Sequence, residues 1–318
     1  MSKKDYRVRN WKEYNKALVN RGNITFWFDE EVIAGWHEYK KTGKRGRPLK
    51  YNDLAIECGL TLRALFKLPF RATQGLIASL IRMLKVSLEA PDYSLLCKRQ
   101  KHIKIVLPKK VVDLEEKINL VVDTTGLKVY GEGEWKVRQH GWMKHRLWRK
   151  LHLAVNPDSH EIEAFELTEL GIQDCEGLPM LLEQIKKPLR TVSGDGAYDR
   201  FSCYEEAEKG SFDMLTPPQK NSRTSEERRR NKKKASPGAV QKRDGVILKV
   251  REMGRKEWKI AAGYHRRSLA ETAMFRIKTI LGSKLSTQKV EHQKTEIAIW
   301  CKILNKMTEL GMPTSVAI

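Results

Sequence analysis

Ile118-Asn119-Leu120-Val121-Val122-Asp123-Thr124-Thr125-Gly126 is an apolar run that stops at an acid and a turn-forming sequence. Its short length and β-branched residues fit a buried strand better than a helix, so Asp123 is expected to close that strand. Downstream, residues 148–155 and 161–167 predict two further strands joined by a turn at Asn156-Pro157-Asp158. Asp174 is placed to cap a helix carrying Leu178, Leu181, Leu182 and Ile185 on one face. Residues 189–193 predict another strand, which ends in Gly194-Asp195-Gly196-Ala197-Tyr198-Asp199, and a helix near 201–209 and a strand over 212–216 follow. This succession of elements describes an α/β sheet with a mixed beginning.

Upstream, residues 1–108 read as helical and basic. Asn52 fits the N-cap of a helix over 53–67, Pro69 breaks it, and Thr73 is placed to cap a second helix bearing Leu76, Ile77, Leu80, Ile81 and Leu84. Two helices across so tight a break resemble a helix-turn-helix, and equally two members of a small bundle. Before them, Lys44-Arg45-Gly46-Arg47-Pro48 resembles an AT-hook, whose arginines Arg45 and Arg47 would lie in a narrow minor groove; a solvated basic linker has the same composition. The expected organisation is a basic arm over 1–50, an α-helical DNA-binding region over 51–115 and a catalytic domain over 116–310.

That domain is interrupted at about 217–250 by a basic insertion containing Arg228, Arg229, Arg230, Lys232, Lys233 and Lys234. Residues 217–242 cannot form a core alone and are expected to be a mobile loop ordered by DNA, the bland alternative being a solvated insertion. The apolar C-terminal segment with Ile297, Ile299, Trp300, Ile303, Leu304 and Met307 reads as a helix covering the sheet.

A formal charge of +22 on 318 residues points to a polyanionic partner, while 40% hydrophobic residues indicate a globular chain. No apolar stretch is long enough to span a membrane and the start, Met1-Ser2-Lys3-Lys4-Asp5-Tyr6-Arg7, lacks an apolar signal-peptide core, so a cytoplasmic protein is expected. The five cysteines form no CxxC pair and the histidines no HExxH pattern, which argues against zinc and for reduced thiols.

Asp123 and Asp195 stand at expected strand ends, where catalytic residues gather, although either alone also reads as a turn-former. Glu271 changes that balance. Tyr264, Arg267, Glu271 and Lys278 share an arc of about 60° on one expected helix, opposite Leu269, Ala273, Ile277 and Ile280. Three convergent carboxylates suit hard cations such as Mg²⁺, and two such ions serve in-line phosphodiester displacement. Arg267 would grip phosphate as a fork, Lys278 would act as a point charge, and Tyr264 would stack on a base or bond to phosphate.

The pattern Tyr264-x2-Arg267-x3-Glu271-x6-Lys278, with Val121-Val122-Asp123-Thr124-Thr125-Gly126 and Gly194-Asp195-Gly196-Ala197-Tyr198-Asp199, resembles the DDE transposases of bacterial insertion sequences, most closely the family named after insertion sequence five. The resemblance also takes in Leu62-Arg63-Ala64-Leu65-Phe66 and Arg146-Leu147-Trp148-Arg149-Lys150-Leu151-His152. It implies a ribonuclease H-like mixed sheet flanked by helices, with Asp123, Asp195 and Glu271 binding Mg²⁺, with Mn²⁺ as a substitute. It further implies cleavage of double-stranded DNA at terminal inverted repeats and attack of the freed 3′-OH on target DNA. Holding two DNA ends requires a homodimer or larger assembly. A non-catalytic DNA-binding regulator and a ribonuclease H-like nuclease without strand transfer are the competing readings.

Overall fold

The computed structural model describes residues 6–39, 48–108, 116–129, 148–227 and 235–317. In chain order these begin with strand β1 (Tyr6–Val8) and helices α1 (Trp11–Asn20), α2 (Ile24–Trp27), α3 (Glu30–Ala34), α4 (Asp53–Phe66), α5 (Phe70–Met83) and α6 (Tyr93–Gln100). Strands β2 (Ile118–Val129), β3 (Trp148–Val155) and β4 (Ile162–Thr168), helix α7 (Asp174–Leu182), strand β5 (Leu189–Ser193), helix α8 (Phe201–Lys209) and strand β6 (Asp213–Leu215) follow. Helices α9 (Pro237–Met253), α10 (Arg255–Ala261) and α11 (Ser268–Ile280), strand β7 (Lys284–Leu285), helix α12 (Val290–Leu310) and strand β8 (Ser315–Ala317) complete the chain. Two compact units result, a helical one from Met1–Pro108 with Thr287–Ile318 and a sheet unit from Lys109–Ser286. No described helix is long and apolar enough to cross a membrane.

In the helical unit, Asn52 caps α4 by accepting from the Leu54 amide at 3.3 Å. Lys67 then turns the chain in the left-handed region, and α5 starts directly after Pro69. Thr73 is therefore inside α5, where its hydroxyl donates to the Pro69 carbonyl at 3.0 Å. Pro69 stands at the N-cap in extended backbone, where its missing N–H is no loss and its carbonyl accepts from the Thr73 amide at 3.0 Å. Helices α4, α5 and α6 close around Gly59, where a Cβ would stand 2.9 Å from Leu96 Cδ2 and 3.3 Å from Ile77 Cδ1. Helix α12 packs on α4 in this unit, burying Ile297, Trp300, Ile303 and Leu304. The expectation that it covers the sheet is thus corrected. An apolar stripe demands burial without naming the partner.

The sheet unit has strand order β4-β3-β2-β5-β6, with β2–β3 and β3–β4 antiparallel and β2–β5 and β5–β6 parallel. This is a ribonuclease H-like mixed sheet. Ile118, Leu120 and Val122 point into a core with Leu178 and Leu181 of α7 and Cys203, Tyr204 and Ala207 of α8. Val121 is buried too, so β2 is covered on both faces, which explains its continuous apolar run. Helix α7 seats directly on β3, because Gly177 leaves room for the His152 ring. Burial lowers the pKa of that imidazole, and its Nε2 lies 2.9 Å from Thr168 Oγ1. The cap of α7 is Gln173, in a capping box with Glu176, rather than Asp174, whose carboxylate pairs with Lys150 at 2.9 Å.

Two expectations change here. Strand β2 continues six residues past Asp123 to Val129, paired with β3 as far as Lys128↔Trp148, because cross-strand bonds override the local stop signal of Asp-Thr-Thr-Gly. Residues 237–242, expected within a loop, open the helix α9, capped by Ser236, whose hydroxyl accepts from the Ala239 amide at 3.4 Å. Buried Ala239, Arg243 and Ile247 lie a turn apart on it, so this part of the basic insertion is anchored.

Candidate active site

On one side β2 is paired with β3 along most of its length; on the other it is shared by two partners. Strand β5 pairs with residues up to Val121, opposite Ser193, and β7 pairs only at Lys128 and Val129. Asp123 and Asp195 each lie two residues beyond the last β2–β5 partners, Val121 and Ser193. A common offset in a parallel register puts the two acids at the same level, where β5 leaves the sheet. Asp123 is consequently mid-strand and Asp195 is in a loop.

Each carboxylate is also fixed by its own backbone. Asp123 Oδ1 accepts from the Thr124 amide at 2.8 Å and Asp195 Oδ1 from the Ala197 amide at 2.9 Å. Gly194 is required beside Asp195, since a Cβ there would stand 2.6 Å from Cδ2 of the buried Tyr198 ring.

The expected stripe arrives on two elements rather than one. Tyr264 and Arg267 belong to a 3₁₀ turn (Tyr264–Arg267), and Glu271 and Lys278 to α11. Met274, about 20° outside that arc, is buried along with Ala270, Ala273 and Ile277, so the stripe borders the buried face and lies against β2. Phe275 is exposed.

Four side chains fasten this segment to the sheet unit. Tyr264 donates to the Gly194 carbonyl at 3.2 Å, Arg266 pairs with Asp158, Arg267 Nη1 meets Asp123 Oδ2 at 3.0 Å, and Lys278 donates to Thr125 Oγ1 at 2.5 Å. Tyr264 is 8% exposed and packs beside Trp258. The tyrosine sits on the rim where the stripe turns inward.

Arg267 is the electrostatic centre. Its Nη2 pairs with Glu271 Oε1 while Nη1 holds Asp123, so one guanidinium joins two of the three acids. Burial opposes the Arg267 charge, but Tyr264, Asp123 and Glu271 hold its pKa above the ordinary value. The Asp123 carboxyl is pushed up, first by burial and further by Asp195 and Glu271, while the Thr124 amide and Arg267 pull it down. Burial likewise raises the Tyr264 phenol. Among the described residues no three acidic, histidine or cysteine groups converge closely enough to hold an ion as they stand. The donor set nevertheless fits a hard divalent cation, being all oxygen, with two of its three carboxylates already on one positive charge.

Arg45, Arg47, Arg228, Arg229, Arg230, Lys232, Lys233 and Lys234 lie outside the described residues. Sequence reasoning passed over Arg266–Asp158 and the buried pair Asp199–Arg243. Asp199 ends a motif whose first acid drew the attention, and Arg243 is hidden in a basic segment that reads as solvated.

Two family models, each described as a transposase DDE domain, match residues 19–132 and 115–306. The second spans more than half the chain and includes all three acids. Among solved structures, a piggyBac transposase synaptic complex with hairpin DNA is similar at TM-score 0.39 and 10% identity, over 97% of this chain and 78% of that one. The fold assignment rests on strand order instead. With the family match and the three acids it contains, the chain belongs to the DDE transposases, enzymes that act on DNA and depend on a divalent metal.

Proposed function

We propose that the protein binds the terminal inverted repeats of a mobile element, cuts the double-stranded DNA there and joins the freed 3′-OH to target DNA. The observation that carries this reading is the common two-residue offset of Asp123 and Asp195 past the β2–β5 pairing, with Glu271 joined to Asp123 through Arg267. Asp123, Asp195 and Glu271 are the ligands for Mg²⁺, two ions in number, with Mn²⁺ able to substitute. Such ions, when bound, activate the attacking oxygen and stabilise the leaving one.

Water attacks the scissile phosphorus and the 3′ oxygen leaves; that hydroxyl then attacks phosphorus in the target strand and displaces its 3′ oxygen. Arg267 and Lys278 rest on Asp123, Glu271 and Thr125 in the DNA-free protein. On DNA they turn to phosphate oxygens, for which a guanidinium fork and an ammonium are both suited. The helical unit and the basic runs containing Arg45, Arg47 and residues 228–234 add sequence-independent affinity through phosphate neutralisation. Two ends are held by a homodimer or larger assembly on DNA, in the bacterial cytoplasm.

The test is a duplex carrying the element's end, incubated with protein and Mg²⁺ or Mn²⁺, with the product ends mapped. Cleavage leaving a 3′-OH and joined products are expected, and Asp123→Asn should abolish both while end binding persists. Cutting without joining would reduce the protein to a nuclease. Binding without any cut under either metal would leave only a regulator.

A further inference from the structure

The loop between β5 and α8 carries Asp195, and its far end is clamped by a buried ion pair that the proposed chemistry does not use. Asp199 Oδ1 accepts from Arg243 Nε at 2.8 Å and Oδ2 from Arg243 Nη2 at 2.9 Å, with side chains 1% and 4% exposed. Ser222 Oγ donates to Asp199 Oδ2 at 3.1 Å, Arg243 Nη1 donates to the Arg223 carbonyl at 3.3 Å, and the Phe201 ring lies 5.2 Å from the guanidinium. One aspartate therefore joins the Asp195 loop, the chain after β6 and helix α9.

Burying two charges is a poor way to gain stability, because desolvation consumes most of the attraction. Helix α9 has other anchors: Ala239 and Ile247 are buried, and Glu208 accepts from the Ala239 amide at 3.1 Å. What a fully bonded buried fork supplies is a single geometry. That geometry is transmitted over a short span, since Tyr198, next to Asp199, is buried with its ring against Gly194, and Gly194 adjoins Asp195. The loop is thus held at its start by a ring and at its end by a fork, with Asp195 between them.

We propose that Asp199 and Arg243 are positioning residues that hold the Asp195 carboxylate at the level of Asp123. The pair also makes the insertion part of the site's frame, since Arg243 stands on α9 and the same helix holds the chain after β6 through Asp244, whose Oδ2 accepts from the Ser225 amide at 2.9 Å. The inference rests on the reading of Asp195 as a metal ligand.

Arg243→Lys keeps the charge and removes the fork, Asp199→Asn removes the charge, and Ser222→Ala removes the hydroxyl's two hydrogen bonds, to Asp199 Oδ2 and from Arg243 Nη2, while leaving the pair intact. For each, Mn²⁺ affinity is measured calorimetrically in the complex with an end duplex, beside duplex affinity, thermal unfolding and cleavage rate against Mn²⁺ concentration. The two pair variants should bind Mn²⁺ roughly 10–100-fold more weakly, the range seen when partners behind metal ligands are removed. Duplex affinity should stay within about twofold and excess Mn²⁺ should restore much of the rate. Ser222→Ala should shift Mn²⁺ affinity in the same direction by less, and it serves if the pair variants do not fold. Combining Asp199→Asn with Arg243→Lys should be no worse than the stronger single change.

Folded variants that bind Mn²⁺ as the wild type does, or lose rate with an unchanged Mn²⁺ dependence, would overturn the positioning role. Failure of the wild-type complex itself to bind Mn²⁺ would instead overturn the assignment of Asp195.

Discussion

Asp199–Arg243 and Asp123–Arg267 are both aspartate–arginine pairs of the sheet unit, but they use the guanidinium in opposite ways. Arg243 places two nitrogens on one carboxylate, with side chains 1% and 4% exposed. Arg267 divides its nitrogens between Asp123 and Glu271, and it and Asp123 are 19% and 16% exposed, Glu271 56%. A fork closed on one buried acid is a joint. A fork divided between a largely buried acid and a half-exposed one is a counter-charge, which a bound cation would replace if the acids hold metal as proposed. The difference teaches that burial and sharing, more than the kind of pair, separate the frame of this site from its working parts.

The largest effect that would test this comparison is on stability. Arg243→Met leaves Asp199 charged and unpaired in the interior, and should cost about 3–5 kcal/mol. Arg267→Met should cost less, because Glu271 is 56% exposed and Asp123, already pushed up by burial, can shed its charge by taking up a proton. Urea unfolding followed by tryptophan fluorescence measures both. Equal losses would erase the distinction.

Next comes metal affinity without DNA. If Arg267 occupies the place of a cation, Arg267→Gln should strengthen Mn²⁺ binding to the free protein roughly tenfold, about 1.4 kcal/mol, while weakening binding to an end duplex. Weaker Mn²⁺ binding in this variant would mean that the guanidinium organises the acids rather than competes for them.

The acids and their order were readable from the chain because each carries a local signal: an apolar run before Asp123, glycines about Asp195, a helical spacing at Glu271. The parallel pairing that levels Asp123 with Asp195 was not, since strand register depends on residues some seventy positions apart. Nonlocal pairing also carried β2 past Asp123 against its turn-forming sequence. The burial of Tyr264 was not legible either, because a stripe bordering a buried face has the same periodicity as one facing solvent. Arg243 was invisible for a related reason: in a run of cations, composition predicts solvation, and only the position of Asp199 makes one of them a core residue.

A smaller effect should appear with pH. Burial, with Asp195 and Glu271, raises the Asp123 carboxyl above its unfolded value, so ionised Asp123 weakens the folded state at neutral pH. That penalty is relieved as pH falls through the raised folded pKa toward the unfolded value near about 3.9. Asp123→Asn should therefore melt higher than the wild type at pH 7.5, with the gap closing as pH is lowered. A gap that widened on acidification would show that Arg267 outweighs burial.

The smallest effect belongs to a third pair, on the same helix as Arg243. Arg251 holds Glu227 through two nitrogens, Nη1 at 2.6 Å and Nη2 at 2.8 Å, and is bidentate like Arg243. The arginine and the Thr224 amide draw the Glu227 carboxyl down to about 2, yet the two side chains are 44% and 42% exposed. Water and salt screen such a pair, and ordering two long side chains offsets what attraction remains. Glu227→Gln should leave the urea midpoint within error at physiological salt and shift it only slightly at low salt. A loss approaching that of Arg243→Met would show that forked geometry, not depth, sets the strength of these joints.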